Sequence, residues 1–201
     1  MTKSLVDQIK NRITQHEEGW CFTQGDFSDL GSEDSVRKVL SRLTDIRFIS
    51  RLAKGLYQLP RYHDQLGELP PQVDAVIDAM QRARHIKCQP SGAYAANLLG
   101  LSEQVPAKII ILTDGASKQI KIGNQTITFK TTTPKNMATA DSITGLVIQA
   151  IKYIGKKQIN DEQLSQLKQR LSTNDIAELK RNAHLAPAWV AKLIKTQILG
   201  E

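Results

Sequence analysis

Arg37, Lys38, Ser41 and Arg42 are hydrogen-bond donors at spacings that a helix, turning about 100° per residue, brings to one side. Val36, Val39, Leu40 and Leu43 recur at i, i+3, i+4 and i+7 and form the opposite, apolar side. Asp34 joins the polar side. Such a helix is locked to its domain by one face while long donors project from the other, as insertion into the major groove of double-stranded DNA requires. Arginine pairs bidentately with guanine O6 and N7, and serine serves base edges or phosphate. Ser35 and Ser41 are the expected serine contacts, and Arg37, Lys38 and Arg42 the cationic ones.

Charge placement points the same way. From Arg37 to Arg61 there are seven basic residues and one acid, Asp45, a net charge of +6. Residues 1–36 carry three basic and seven acidic residues, a net charge of −4. Lys54, beside Gly55, is expected at a hairpin tip where it meets phosphate or the minor groove. Arg51 and Arg61 flank the hairpin strands as expected phosphate contacts. Tyr57 is either a backbone contact or a core aromatic. A solvated basic face on a protein-interaction module is the alternative reading of the whole segment.

Other reactive residue types form no comparable constellation. His16, His63, His85 and His184 are scattered, and no Gly-x-Ser-x-Gly, His-Glu-x-x-His or phosphate-binding glycine loop is present. Ser91, before Gly92, is expected to cap a helix rather than act as a nucleophile. Asp114, with Lys118, Lys121 and Lys130 nearby, is of a type seen at nuclease metal sites, but the following strand, Thr126 to Lys130, offers no second acid. An Asp-Gly turn is the simpler reading. Cys21 and Cys88 are isolated, so no zinc site is expected. No enzyme activity, metal or cofactor is expected.

These residues need elements to position them. A first helix is predicted over Lys3 to His16, carrying Leu5, Ile9 and Ile13 on one stripe. Trp20-Cys21-Phe22 reads as a short strand, and Thr23 as the N-cap of a short helix with Phe27 and Leu30. Ser32 caps the third helix, and Phe48 to Leu59 reads as a hairpin turning at Lys54-Gly55. Helix, strand, helix, helix, hairpin is the order of a winged helix-turn-helix.

Pro60, Pro70 and Pro71 bracket a polar connector, so a winged-helix DNA-binding domain is expected over 1–62 and a second domain over 70–201. Within the second, a helix is predicted over Gln72 to His85, a strand at Ile86 to Cys88, and a buried strand at Lys108 to Thr113. A hairpin should turn at Gly123-Asn124-Gln125. Helices follow over Ser142 to Lys156, after caps at Asp161 and Thr173, and from about Pro187 to Leu199. The expected fold class is α+β: a winged helix-turn-helix followed by an α/β domain with a small sheet and several helices.

The 201 residues are 40% hydrophobic and 23% charged, an ordinary globular balance, and aromatics at 5% argue against base-stacking platforms for single strands. The net charge of +7 makes polyanions natural partners. No apolar run reaches signal-peptide or membrane-span character, so a cytoplasmic location is expected. The C-terminal helices carry nine basic residues, from Lys152 to Lys195, against five acids. They read as solvated faces or as a patch for an acidic partner or DNA backbone. Trp189 reads as a core anchor or an interface hot spot.

The runs Phe22 to Phe27, Leu40 to Leu43 and Lys54 to Tyr57 resemble the N-terminal winged helix of AbiEi-type antitoxins. Gln89-Pro90-Ser91-Gly92-Ala93-Tyr94-Ala95-Ala96-Asn97-Leu98-Leu99-Gly100-Leu101, then Val105-Pro106-Ala107 and Leu112-Thr113-Asp114-Gly115, look like the central segment of that family, especially a subgroup known only as a domain of unknown function. The resemblance covers about residues 3–157. It implies a type IV toxin–antitoxin or phage-defence operon and an antitoxin that represses its own promoter through the winged helix. The partners it implies are double-stranded DNA at that promoter and a nucleotidyltransferase-like toxin. A homodimer is expected if the operator is palindromic. A winged-helix protein-interaction module without a DNA role, or a degenerate nuclease-like protein, are the alternatives.

Overall fold

A computed structural model describes residues 4–201 and separates into two compact units. One runs through Ile86 and includes Lys121–Gly123; the other holds Lys87–Ile120 and Asn124–Glu201. The chain is mixed α+β, with three small sheets among the described residues.

In the first unit, Ser4 caps α1 (Leu5–Thr14), accepting from the Asp7 amide at 3.2 Å. Lys3, where the sequence reading starts this helix, lies outside the described residues. Ile9 and Ile13 are its buried stripe. After β1 (Cys21–Phe22), Thr23 and Asp26 form a reciprocal capping box. The segment they start is a single 3-10 turn, Gln24–Phe27, which stops short of Leu30 rather than making a full helix. Ser32 then caps α2 (Glu33–Asp45), whose buried residues are Val36, Val39, Leu40 and Leu43, the face that the spacing predicts. β2 (Ser50–Ala53) and β3 (Leu56–Gln58) form the hairpin, with Gly55 at φ +75° in its turn. β1 pairs antiparallel with β3, giving sheet order β1-β3-β2.

Buried residues of α1, β1, the 3-10 turn, α2 and β3, with Ile49 just before β2, meet in one core, among them Ile9, Phe22, Phe27, Leu40 and Tyr57. Phe22 stands edge-on to Phe27 at 5.5 Å and stacks with Tyr57 at 6.0 Å between ring centres, so Tyr57 is a core aromatic. α2 leaves through Arg47, whose φ of +57° is left-handed. Phe48 N–H reaches back to the Leu43 carbonyl at 2.9 Å and closes the helix end.

The polar connector is ordered. β4 (Arg61–His63) and β5 (Gly67–Leu69) pair antiparallel, and α3 (Val73–Arg84) follows, ending at His85 with φ +51°. α3 packs on β1, so the first unit runs past the 62–70 boundary that the proline bracket suggests. The reason is a contact remote in sequence: Arg82 donates to Asp26 and to the Cys21 carbonyl.

The second unit begins with β6 (Cys88–Ser91), which starts two residues and ends three residues later than the predicted strand at 86–88. α4 (Gly92–Leu98), β7 (Lys108–Thr113), β8 (Lys118–Ile122) and β9 (Gln125–Thr131) follow. The sheet order is β6-β7-β9-β8, with β6 antiparallel and β9 parallel to β7. β7 is not buried on both faces. Ile109, Ile111 and Thr113 are buried while Ile110 and Leu112 are half-buried, the alternation of a strand with one face only partly covered.

After the short α5 (Pro134–Met137) come α6 (Ile143–Ile154), α7 (Asp161–Arg170), α8 (Thr173–Asn182) and α9 (Ala188–Leu193), which runs on as a π-helical turn, Ile194–Leu199. The N-caps of α7 and α8 are Asn160 and Ser172, one residue before the predicted Asp161 and Thr173. Each makes a capping box, with Gln163 and Asp175 respectively, because the reciprocal bond needs its partner at the third helical position. The core of this unit joins α4, α6, α7, α8 and α9, and Trp189 packs against it.

The run from Gln89 to Leu101 has a structural account. Gly92 at φ +63° turns the chain from β6 into α4, and Tyr94, Ala95 and Ala96 are buried. Gly100, at φ +67°, lies under the Arg170 guanidinium, where a Cβ would collide. Ser91 occupies the N-cap position but makes no capping bond; its hydroxyl donates to Gln149 Oε1 at 3.2 Å, which corrects the capping reading.

Candidate nucleic-acid interface

α2 and the β2–β3 hairpin carry the candidate interface. With its apolar side buried, α2 exposes Arg37, Lys38, Ser41 and Arg42. Ser35 is half-buried at the start of the helix, and its hydroxyl accepts from Ser32 Oγ at 2.9 Å. Arg51 and Lys54 are exposed on the hairpin. Arg51 Nε donates to the Ala53 carbonyl at 3.4 Å across a register shift between the two residues. Such a bulge increases local twist, and here it sits one residue from the Lys54 tip.

The cations are not equivalent. Arg37 Nη2 donates to Asp34 Oδ1 at 2.7 Å, and both side chains remain mostly exposed, at 64% and 73%. Among the described residues the side chains of Lys38, Ser41, Arg42 and Lys54 make no hydrogen bond or ion pair. Long, solvated, unpaired donors suit a polyanion because no internal bond is lost on contact. Arg61 differs: it is half-buried at the start of β4, and its Nε is buried without a partner, as is the Oε1 of the neighbouring buried Gln58. The chain therefore groups Ser35, Arg37, Lys38, Ser41 and Arg42 on α2 and Arg51 and Lys54 on the hairpin, and sets Arg61 apart at the connector.

Sequence reading missed the residues that set up this face. Arg12 of α1 makes a two-pronged pair with Asp29, at 2.6 and 2.7 Å, and donates to the Asp26 carbonyl at 2.8 Å. The hydrogen bond from Arg12 holds the Asp29 carboxyl below its ordinary range. Arg82 of α3 meets the Asp26 carboxylate at 3.1 Å and lies over the Trp20 ring, 5.8 Å from its centre. Two acids of the −4 segment are thus matched by cations before any ligand arrives. Only the excess of acids over residues 1–36 hinted at this, because the partners are 17 and 56 positions away.

Elsewhere the reactive types take structural roles. Asp114 Oδ1 accepts from the Lys87 amide at 2.8 Å. Among the described residues no group of three or more His, Cys, Asp or Glu side chains is placed to hold a metal, and no helix is long and apolar enough to cross a membrane. Burial pushes the Cys21 thiol up to about 12. In the C-terminal basic helices, Lys180 pairs with Glu201 at 2.7 Å, and Lys192 and Lys195 line a shallow groove with Ala188, Ala191, Thr196 and Glu201.

Comparison with known proteins places residues 8–179 in a match to the family described as "Family of unknown function (DUF6088)". No curated protein matches the chain.

Proposed function

The chain belongs to that family, and we propose that it is a DNA-binding transcriptional regulator, an autorepressor whose first unit is a winged helix-turn-helix. In this reading α2 is the recognition helix and β2–β3 the wing. The observation that carries it is the set of exposed, unpaired donors Lys38, Arg42 and Lys54, together with Arg37 and Arg51, on one helix and its adjoining hairpin. The sheet order β1-β3-β2, with the strand before the 3-10 turn and α2 joining the hairpin, supports the same reading. Ser35 and Ser41 serve base edges or phosphate, and Lys54 the backbone beyond the groove.

We extend the proposal to an antitoxin of a type IV module, acting in the cytoplasm on its own promoter and opposing a nucleotidyltransferase-like toxin, as a homodimer on a palindromic site. That part rests on the AbiEi-like runs, the Pro90-Ser91-Gly92-Ala93-Tyr94 stretch above all.

The test is a gel-shift titration of the protein on about 200 base pairs upstream of its own gene, against scrambled DNA, at two salt concentrations. Selective binding that survives the higher salt is expected. Weak binding to both DNAs, lost together as salt rises, would reject the regulator and favour a basic face that docks a protein.

A further inference from the structure

We infer that Asp34 is a positioning residue that holds Arg37 as a guanine reader; the inference rests on the recognition-helix reading above and goes beyond it by assigning one base contact. Asp34 and Arg37 lie one turn apart in the first half of α2, where recognition helices meet base edges. Their bond, Arg37 Nη2 to Asp34 Oδ1 at 2.7 Å, uses one N–H of a guanidinium that has five. The rest of the planar fork stays exposed, and a second N–H on Nη2 with one on Nη1 suffices for guanine O6 and N7. The pair is too exposed to matter much for stability, since solvent-exposed ion pairs contribute little. Its effect is on orientation: Arg37 is the one arginine of the outer α2 face whose rotamer is already restrained, so less freedom is lost on binding.

Asp34 also works against wrong contacts. Its carboxylate repels phosphates and offers only acceptors, so it disfavours any register that presses the helix start against the DNA backbone. Two opposite consequences follow from removing it. Preference for guanine at one position falls about tenfold, while affinity for DNA of arbitrary sequence rises.

The experiment equilibrates the full-length protein with a pool of random-sequence duplex DNA and sequences the bound fraction. It uses wild type, Arg37→Ala, Asp34→Ala and Asp34→Asn, with thermal unfolding of each. The expected result is one guanine position lost in both Arg37→Ala and Asp34→Ala and partly restored in Asp34→Asn, which keeps an acceptor for Arg37. A capping or stability role for Asp34 would lower the unfolding temperature and leave the motif sharp. A motif blurred by Arg37→Ala but intact in Asp34→Ala overturns the positioning role and leaves DNA reading standing. A motif that survives Arg37→Ala overturns the assigned contact. No enrichment by the wild type overturns DNA reading itself, and the positioning role with it.

Discussion

Arg82 donates from Nη2 to the carbonyl oxygen of Cys21 at 2.7 Å, tying α3 to the short edge strand that starts the first sheet. The same guanidinium reaches Asp26, whose side chain is only 11% exposed. Arg82→Met keeps most of the stem and deletes these bonds. Hydrogen bonds to charged groups contribute about 1.5–3 kcal/mol, and partial exposure lowers that, so a loss of about 1–2 kcal/mol is expected. Urea unfolding should show a lower midpoint with an unchanged slope.

The Arg12–Asp29 pair makes a statement about pH. Asp29 is held below its ordinary value in the folded chain, first by the hydrogen bond from Arg12. A depressed carboxylate adds stability above its unfolded pKa of about 3.9 and loses it as pH falls through the folded value. The gap in thermal midpoint between wild type and Asp29→Asn should therefore be present at pH 7 and close progressively below about pH 4. A gap that does not narrow as pH falls below about 4 would contradict the assignment.

Gly145 lies in the first turn of α6, where alanine is ordinarily favoured by about 1 kcal/mol. Here a Cβ would collide with the Thr139 carbonyl and the Gln89 side chain. Gln89 is itself buried at 1% exposure; its amide, oriented to satisfy both ends, donates to Thr139 O at 3.0 Å and accepts from the Leu146 amide at 3.2 Å. Gly145→Ala should thus invert the helix-propensity rule and cost roughly 1–3 kcal/mol, as overpacking does. Chemical denaturation of the two proteins decides the sign.

Under the proposed function, Arg42→Ala should cost on the order of 1–3 kcal/mol at a specific site if the side chain reads a base. Lys54→Ala should weaken all sequences alike and reduce the slope of log affinity against log salt by about one. Titrations at several salt concentrations separate the two patterns. Unchanged affinity in an Arg37→Ala, Arg42→Ala double variant would reject α2 as the reading helix.

The inward face of α2 was legible because four apolar residues at helical spacing leave little choice of rotation, and the Lys54-Gly55 turn was legible because glycine supplies the positive φ. That also placed the exposed donors. Asp34–Arg37 was within reach, being a pair at i, i+3. What periodicity does not carry is partnership across distance. The assignment of α3 to the first unit depends on Arg82 meeting a residue 56 positions earlier. The β4–β5 hairpin escaped because its strands are three residues long and its composition is that of a loop. Ser91 escaped because the helix N-cap position does not say which acceptor the hydroxyl prefers, and Gln149 lies 58 residues away.

Arg47 occupies the left-handed exit of α2, a backbone setting that glycine takes without penalty and other residues take at roughly 1–2 kcal/mol. Its side chain adds a positive charge to the helix end, where the dipole favours one, and to the +6 segment. Conformational ease and charge therefore pull in opposite directions at a single codon. Drift under selection for stability alone would run toward glycine there, and retention of arginine across relatives would be the mark of selection on charge.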